Sequence, residues 1–478
     1  MSPATRTLAP EERAFFETLV RIALAIVLLG QAVAGFTDTD IWGHMAIGLD
    51  MLRNRQFMWV DPYSFTSDQP WVNHEWLWDV SVAAVYQVGG LPAVVALRTV
   101  LIGAVIWAAD RAVRNVPSWV RLVTVGAVVV VCAPQWKSTR PQMVTLTLAA
   151  FVLQNLDAWW LPLVFVLWAN LHGGWMFGMA AVAGFAVTKR TPRAIAIAAA
   201  CAGATLVTPY GVREWLALAD AVRRGWAGIS EWEPVWRLAE GAGPLLLWSA
   251  LVIVVAGIWY RVSRDAFAWG FSLVALAAAA NSRRLIALAA VTCAVLLVPR
   301  WSDLPADVRF AWTRPRRWML AAIATLAALT AVPTVRPTLV CFPPVPGWRA
   351  PESDAVAFLR GTAVTRIVPF FDFGEYAIFH LRDRMRVGMD NRRETVYSAA
   401  VVKANARFSD GFDPDYPDRI AADAVWWPVS GEVVIRSLEE RGWFRRFEGP
   451  STVVLMKSSG PLVRGGSSTG QTPCFPNP

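Results

Sequence analysis

Residues 91–109 read LPAVVALRTVLIGAVIWAA, a run of nineteen residues in which Arg98 alone is charged. A helix needs about 20 mostly apolar residues to cross the hydrocarbon core of a bilayer, so this run predicts a membrane span. Ten further runs have similar character and lie at about 18–36, 118–133, 141–156, 159–171, 173–188, 193–208, 244–260, 266–280, 284–298 and 317–333. The chain is therefore predicted to be mainly α, a polytopic transmembrane helical bundle of about 11 spans.

The overall composition agrees with a membrane protein and excludes other classes. The chain has 478 residues, of which 55% are hydrophobic and 17% are charged, and its mean hydropathy is +0.40. A soluble domain has about 25% charged residues and could not bury this much apolar surface. The same composition excludes a disordered chain, a disulfide scaffold and a fibrous repeat.

The net charge of +9 is spread unevenly and indicates an orientation. Segment 352–464 carries equal numbers of basic and acidic residues, so the basic excess belongs to the helical part. If the N-terminus is cytoplasmic, the basic residues fall in inner loops, as the positive-inside rule requires. They are Arg111, Arg114, Arg121, Lys189, Arg190, Arg193, Arg261, Arg264, Arg300, Arg309, Arg314, Arg316 and Arg317. An odd number of spans then places the C-terminal region outside, and the charge gives no reason to expect a nucleic-acid partner.

The first apolar run, 18–36, has two interpretations. Ala32-Val33-Ala34 resembles the cleavage site of a signal peptide. The acidic residues Glu11, Glu12 and Glu17 in the leading segment favour an uncleaved signal anchor. Both interpretations leave the following residues outside, and the expected location is a bacterial inner membrane, with the lipid bilayer as a partner.

The chain is predicted to divide into a transmembrane domain (1–349), an extracytoplasmic α/β domain (350–457) and a disordered tail (458–478). Four short β-like runs alternate with helical stretches in the second of these, which is typical of a small α/β domain. The runs are Arg366–Phe370, Met385–Met389, Ala424–Trp427 and Thr452–Met456. The tail is rich in Gly, Ser and Pro. Cys341 and Cys474 could form a disulfide if both face an oxidising compartment.

Ionisable residues gather at one level of this predicted topology, at the outer ends of spans and in outer loops. They are Asp38, Asp40, His44, Asp61, His74, Glu75, Lys137, Arg140, His172, Glu231, Glu233, Arg283 and Arg284. Facing water and headgroups is enough to explain an isolated residue such as Lys137. A convergent group beside membrane helices instead indicates a functional site, and three of the four histidines lie here.

The segment after the first run is the most informative part of this group. Asp38 and Asp40 are two residues apart, so in an extended stretch both carboxylates would point the same way and could reach one hydroxyl or one divalent cation, Mg or Mn. The first outer loop, 37–90, is predicted to carry two helices on the membrane surface, one from Ile41 to Leu52 and one starting near Trp71. Arg283 and Arg284 open a span and could bind phosphate or anchor the helix among headgroups.

A series of motifs resembles a known group of proteins. The motifs are Asp38-x-Asp40-x-Trp42-x-His44, Asp61-Pro62-Tyr63-Ser64, Trp71-Val72-Asn73-His74-Glu75-Trp76, Arg140-Pro141-Gln142, Asn170-Leu171-His172-Gly173-Gly174, Pro209-Tyr210-Gly211, Phe373-Gly374-Glu375-Tyr376 and Gly388–Tyr397. In this order they resemble bacterial integral-membrane proteins of the GT-C glycosyltransferase type. That group is distantly similar to dolichyl-phosphate-mannose protein mannosyltransferases and lipid-A aminoarabinose transferases. The resemblance covers most of residues 15–457.

The resemblance implies a membrane glycosyltransferase. The donor would be a sugar on a polyprenyl phosphate, the acceptor an envelope glycan, lipid or protein, and transfer would take place on the outer leaflet. In that group the first outer loop holds the catalytic acid, which matches Asp38 or Asp40 here. One departure is Thr208, which stands before Pro209-Tyr210-Gly211 where the group often has Asn.

The residues themselves suggest how such a site would work. A carboxylate, Asp38 or Asp40, can deprotonate an acceptor hydroxyl, while the other positions it or a metal ion. The candidate phosphate contacts are Arg140, His172, Arg283 and Arg284. The other candidate substrate-binding residues are His44, Asp61, His74 and Glu75.

Other functions share the predicted topology. A non-catalytic scaffold, or a glycan-binding component of an envelope polysaccharide system, stays open because carboxylates can serve binding alone. A transporter is disfavoured, since the spans carry almost no charge near the bilayer midplane. An oligosaccharide ligase would call for basic outer loops, whereas segment 37–79 carries seven acidic residues and two arginines.

Overall fold

The computed structural model describes residues 30, 35–116, 118–224, 229–238, 241–301, 340–344, 348, 350–466 and 474–477. The predicted run at 317–333 and almost all of 18–36 lie outside these residues, as do Arg309, Arg314, Arg316 and Arg317. The number of spans and the membrane orientation therefore stay predictions.

The other nine apolar runs are confirmed as helices of a mostly helical N-terminal part. Its helices are α1 (Asp40–Asn54), α2 (Trp76–Ala112), α3 (Ser118–Trp136), α4 (Gln142–Gln154), α5 (Leu161–Leu171), α6 (Trp175–Lys189), α7 (Pro192–Ala204), α8 (Val212–Arg224), α9 (Gly243–Ile258), α10 (Ala266–Asn281) and α11 (Ile286–Leu296). Among the described helices, α2 alone is long and apolar enough to cross a membrane, and seven others contain shorter apolar stretches of 10–17 residues.

Helix α11 forms the centre of the helical part. All eleven of its residues are buried, and α3, α4 and α10 pack around it. A helix that is apolar on every side belongs in a protein core, because no face of it favours water. The surrounding helices instead expose large apolar side chains, including Val130, Leu163 and Ile253.

Helix α2 joins two features that the sequence predicts separately, a surface helix and a span. Gly89 and Gly90 interrupt its helical geometry, and Gly90 has a φ of 62°. That left-handed conformation is strained for any residue with a Cβ, so glycine permits the bend. The segment before the bend carries Trp78 and Asp79, both buried in protein.

The sequence predicts that helix α1 lies on a membrane surface, but in the structure its apolar face packs against protein. It packs between α2 and the C-terminal domain, and its residues Ile41, Trp42, Met45 and Ile47 are buried. Trp71, predicted to begin the second surface helix, is also buried. The helix predicted from the amphipathic pattern is confirmed, but protein rather than lipid covers its apolar face.

The C-terminal domain is α/β, as predicted, with a six-stranded sheet in the order β2-β1-β3-β5-β4-β6. Its strands are β1 (Arg366–Pro369), β2 (Arg386–Val387), β3 (Ala424–Pro428), β4 (Phe444–Glu448), β5 (Thr452–Met456) and β6 (Val463–Arg464). Its helices are α12 (Ser353–Arg360), α13 (Gly374–Leu381), α14 (Arg393–Val396), α15 (Ala399–Ser409), α16 (Tyr416–Arg419) and α17 (Glu432–Glu439). The sequence pattern missed β4 and β6, because β4 is largely polar and β6 has two residues.

The sheet mixes two directions of strand pairing. Strand β1 pairs in parallel with β2 and β3, whereas β5 pairs antiparallel with β3 and β4. The parallel half lies towards α13, the helix that packs on α1. This half of the domain positions the loops that meet the helical part.

The expected disordered tail is ordered in the parts that the structure describes. Val463–Arg464 forms β6, which pairs with β4. Cys474 forms a disulfide with Cys341, as the sequence allowed, and Phe475 is buried with its ring 4.9 Å from that of Trp42. The Phe475 ring therefore packs this segment against α1, and the disulfide links it to the segment 340–344.

Candidate active site

A cavity of about 600 Å³ lies where the helical part meets the C-terminal domain. The helical part lines it with α1, the turn before α2, the start of α4, the turn between α5 and α6, and Arg284. The C-terminal domain contributes residues near the start of α13 and the segment that leads into α14. Seven of the ten residues predicted for the site line this cavity: Asp40, His44, His74, Glu75, Arg140, His172 and Arg284.

The other three predicted residues do not line the cavity. Asp38 lies behind Arg140, with which it forms an ion pair. Asp61 accepts hydrogen bonds from the backbone of Tyr63 and Ser64 and pairs with Arg392 at 2.8 Å. Arg283 is buried and lies 3.6 Å from Glu233. Asp38 and Asp61 instead hold residues that do line the cavity, Arg140 and Arg392.

Asp38 and Asp40 occupy different positions relative to the cavity because helix α1 begins at Asp40. The extended stretch expected from the sequence is wrong, since Thr39 already has helical backbone angles. Asp38 Oδ1 accepts a hydrogen bond from the Ile41 backbone N–H at 3.3 Å, so this side chain caps the helix. Asp40 instead faces the cavity.

Arg140 joins three carboxylates at this point. It pairs with Asp38, lies 3.1 Å from Asp40 and lies 2.7 Å from Glu231. Burial is the largest influence on the pKa of both aspartates, and it raises the pKa of Asp38. For Asp40 the nearby positive charges, chiefly Arg140 and His44, overcome burial and lower the pKa. Of the two aspartates, Asp40 is therefore the one that faces the cavity and whose pKa is lowered.

His44 is held as a cation by carboxylates. Its Nδ1 lies 2.6 Å from Asp79 Oδ1, and Asn73 donates to the other oxygen of Asp79 at 2.7 Å. Burial opposes the charge, yet Asp79, Glu75 and Glu375 together raise the pKa of His44 to about 10. Its Nε2 lies 4.0 Å from Glu75 Oε2. The imidazolium lines the cavity and can donate from Nε2.

His172 is held neutral in the turn between α5 and α6. The Gly174 backbone N–H donates to its Nδ1 at 3.0 Å, and the Thr145 hydroxyl lies 2.6 Å from the same atom. Since Nδ1 accepts, the proton of the neutral ring is on Nε2, which lies 3.4 Å from Glu75 Oε1. Burial and Arg284 lower the pKa of His172 well below its usual range.

Close packing explains the glycine that follows this histidine. A Cβ at position 174 would come within 2.1 Å of the Thr145 hydroxyl oxygen. Trp168 Nε1 donates to that same oxygen at 3.0 Å. The turn therefore has a fixed geometry, in which Thr145 and Gly174 together set the ring position of His172.

Arg284 lies on another part of the cavity wall. Its guanidinium is 3.4 Å from Glu231 and stacks over the ring of Trp232 at 5.2 Å. A guanidinium can bind the oxygens of a phosphate in bidentate fashion. This residue is suited to an anionic ligand group.

Two parts of the structure contribute cavity residues that were not predicted from the sequence. Asp79 lines the cavity from an apolar helix, where it looks like a chance polar residue. Glu375, Asn391 and Arg392 reach the cavity from the C-terminal domain, and Asn391 donates to Asp40 at 2.8 Å. These residues belong to motifs of the C-terminal domain, but more than 300 residues separate Asn391 from Asp40 along the chain.

The divalent cation expected at Asp38 and Asp40 stays a prediction. Their oxygens contact the guanidinium of Arg140, which supplies the positive charge at this point. Within the described ranges, no group of three or more His, Cys, Asp or Glu side chains is arranged to hold a metal ion.

Among known proteins, the chain is similar to several solved structures. No protein-family model matches the chain, and no curated protein matches it. The apo oligosaccharyltransferase of Archaeoglobus fulgidus is 10% identical with a TM-score of 0.46, over 94% of this chain and 75% of that one. ArnT from Cupriavidus metallidurans, bound to undecaprenyl phosphate, is 12% identical with a TM-score of 0.48, over 95% and 100%.

A third similar structure is the arabinofuranosyltransferase AftD from Mycobacteria. It is 12% identical with a TM-score of 0.45, over 95% of this chain and 40% of that one. These structural neighbours are GT-C glycosyltransferases, the class that the sequence motifs resemble. All three TM-scores lie below 0.5, so these similarities concern the fold and carry no information about the chemistry of the cavity.

Proposed function

We propose that this chain is a membrane glycosyltransferase that moves a sugar from a polyprenyl phosphate to an extracytoplasmic acceptor. The observation that carries this proposal is one cavity in which an ionised carboxylate, Asp40, lies together with Arg284 and the imidazolium of His44. Sugar transfer from a lipid phosphate needs both groups: a base for the acceptor hydroxyl and positive charge for the departing phosphate.

The proposed location is the bacterial inner membrane, with the N-terminus cytoplasmic and the cavity on the outer side. Large apolar side chains exposed on neighbouring helices support contact with lipid, because soluble surfaces rarely carry many of them. Leu163 is 70% exposed, Ile253 70% and Leu246 66%. The positive-inside pattern of the loops supports the orientation.

A second hollow of about 500 Å³ supports a lipid-linked donor. Most of its lining is apolar and comes from α2, α5 and the segment 207–209. Trp76 and Asn170 belong to this hollow and are close in sequence to Glu75 and His172 of the cavity. A polyprenyl chain could lie in the hollow while its phosphate reaches the cavity.

In the proposed reaction the oxygen of the acceptor hydroxyl attacks the anomeric carbon of the sugar. The bond from that carbon to the phosphate oxygen breaks, and Asp40 takes the proton of the hydroxyl. The polyprenyl phosphate leaves with the bonding electron pair and gains one negative charge. Arg284 and His44 neutralise that charge, and Asn391 and Arg140 hold Asp40 in place.

The test is to replace Asp40 by Asn and to follow transfer from a panel of synthetic polyprenyl-phosphate hexoses and pentoses. Loss of a general base lowers turnover by at least about 100-fold. Asp38→Asn gives a smaller loss, because Asp38 acts through Arg140 and the start of α1. Asp50→Asn is the matched control: it lies on the same helix, pairs with Arg382 and does not line the cavity.

Two results would count against the proposal. Wild-type turnover by a well-expressed Asp40→Asn variant would remove Asp40 as the base. Binding of the lipid-linked sugars by the wild-type protein, with neither hydrolysis nor transfer, would instead support a non-catalytic, glycan-binding scaffold.

A further inference from the structure

Glu375 is a buried carboxyl group of the C-terminal domain that the proposed reaction does not use. It lies in the first turn of α13, is 5% exposed and lines the cavity. Within the described part of the chain, its Oε2 is buried and has no hydrogen-bond partner. A buried polar oxygen without a partner is costly, so a ligand that supplies the missing bond gains affinity from it.

The packing of α13 on α1 fixes where this carboxyl group lies. A Cβ at Gly43 would come within 2.4 Å of the Glu375 carboxyl carbon. The carboxyl group therefore rests directly on the backbone of α1, in the turn that carries Asp40 and leads to His44. Any larger residue at position 43 would collide with this carboxyl group unless one of the two moved.

The charges around Glu375 decide its protonation state. Asp40 and Asp390 disfavour its ionised form, while His44 and Arg392 favour it. Burial is the largest influence, and together with the two aspartates it raises the pKa of Glu375 well above its usual range. This shift favours the carboxylic acid form, which both donates and accepts a hydrogen bond.

We propose that Glu375 is a specificity-determining residue whose carboxyl group hydrogen-bonds a hydroxyl of the sugar ring bound in the cavity. A hydroxyl also donates and accepts, so it satisfies both functions of the acid at once. The inference rests on the proposed function, since it names the part of the substrate that Glu375 recognises. The hydroxyl can belong to the sugar of the donor or to a sugar of the acceptor.

The test compares two variants of similar size, Glu375→Gln and Glu375→Leu, in the full-length protein. The amide of Gln still donates and accepts, whereas Leu does neither. Equilibrium binding is measured for polyprenyl phosphate alone and for the same lipid carrying the sugar that the wild-type protein transfers. We expect Leu to weaken binding of the sugar-carrying lipid at least about tenfold, while Gln stays within about threefold.

The lipid without a sugar is the internal control. Both variants should bind it as the wild-type protein does, because Glu375 contacts no phosphate in this proposal. If donor binding is unchanged in Glu375→Leu but the KM for the acceptor rises at least about tenfold, the hydroxyl belongs to the acceptor. Thermal melting of each variant tests whether it is folded.

Two outcomes overturn the inference. Wild-type binding and kinetics in Glu375→Leu would show that the carboxyl group recognises nothing. Equal losses in Gln and Leu would show that an ionised carboxylate is needed instead of the acid. If the wild-type protein itself neither binds nor transfers any lipid-linked sugar, the proposed function fails first; if it does both and the variants match it, this inference alone fails.

Discussion

His44 and His172 face the same carboxyl group, Glu75, yet the protein gives them opposite charge states. A carboxylate, Asp79, contacts Nδ1 of His44, whereas a hydroxyl and a backbone N–H contact Nδ1 of His172. The pKa of His44 is raised to about 10, and that of His172 is lowered well below its usual range. The comparison shows that neighbours, and not residue type, assign the cation of this site.

Removing Asp79 should have the largest effect on the difference in charge between His44 and His172. In Asp79→Asn the imidazolium of His44 loses its partner, so the ring becomes neutral at lower pH and cannot neutralise the departing phosphate. We expect turnover at pH 8 to fall at least about 100-fold. The pH profile should change as well, with activity of the variant lost at a lower pH than in the wild-type protein.

The matched control for this change lies on the same helix. Asp110→Asn removes an ion pair with Arg121, away from the cavity, and should leave the profile unchanged. A wild-type pH profile in Asp79→Asn would mean that His44 does not act as a cation.

Thr145→Val should have a smaller effect, on the other histidine. The change keeps the side-chain shape but removes the hydroxyl at His172 Nδ1 and the acceptor for Trp168 Nε1. We expect a fall in turnover of about tenfold or less and a fall in the free energy of unfolding of about 1–3 kcal/mol.

Thr147→Val is the control for this change, since its hydroxyl donates to the carbonyls of Met143 and Leu101 and lies outside the cavity. Activity assays and denaturant unfolding of the two variants compare the sites directly. Equal effects in both would show that the hydroxyl of Thr145 does nothing particular to His172.

The smallest expected effect is on stability as the pH changes. The pKa of His44 rises from 6.5 to about 10 on folding, so its contribution to stability is complete below pH 6.5 and is lost as the pH rises to about 10. The melting temperature should therefore fall over this range, and the fall should be shallower in His44→Gln. His172→Gln should leave this slope as it is, because His172 is neutral throughout; equal slopes for wild type and His44→Gln would contradict the assignment.

Sequence reasoning predicted the local features well, because they follow from nearby residues. Apolar runs and turn residues determine helices such as α5 and α6, and the tight turn between them follows from Gly173 and Gly174. The amphipathic pattern of α1 predicted a helix but could not show what covers its apolar face. Both lipid and a protein core can cover an apolar face, so the packing of α13 decides which of them covers α1.

The site was predictable as a group of residues but not as a geometry. The spacing of Asp38 and Asp40 suggested paired carboxylates, yet Asp40 lines the cavity while Asp38 caps the start of α1, because the helix begins at Asp40. Asp79 carries no local signal within its apolar helix. Glu375 acquires a role through contact with Gly43, which belongs to a distant part of the chain.

The sequence alone thus determined the apolar helices, the small α/β domain and the polar residues available for chemistry, because each depends on periodicity, composition or a short motif. Tertiary structure alone decided which carboxylate faces the cavity, which histidine carries charge and which groups of the C-terminal domain complete the wall. The physical reason is that burial and charge act over a few ångströms in space. Residues that are close in that sense can be more than 300 positions apart along the chain, as Asn391 and Asp40 are.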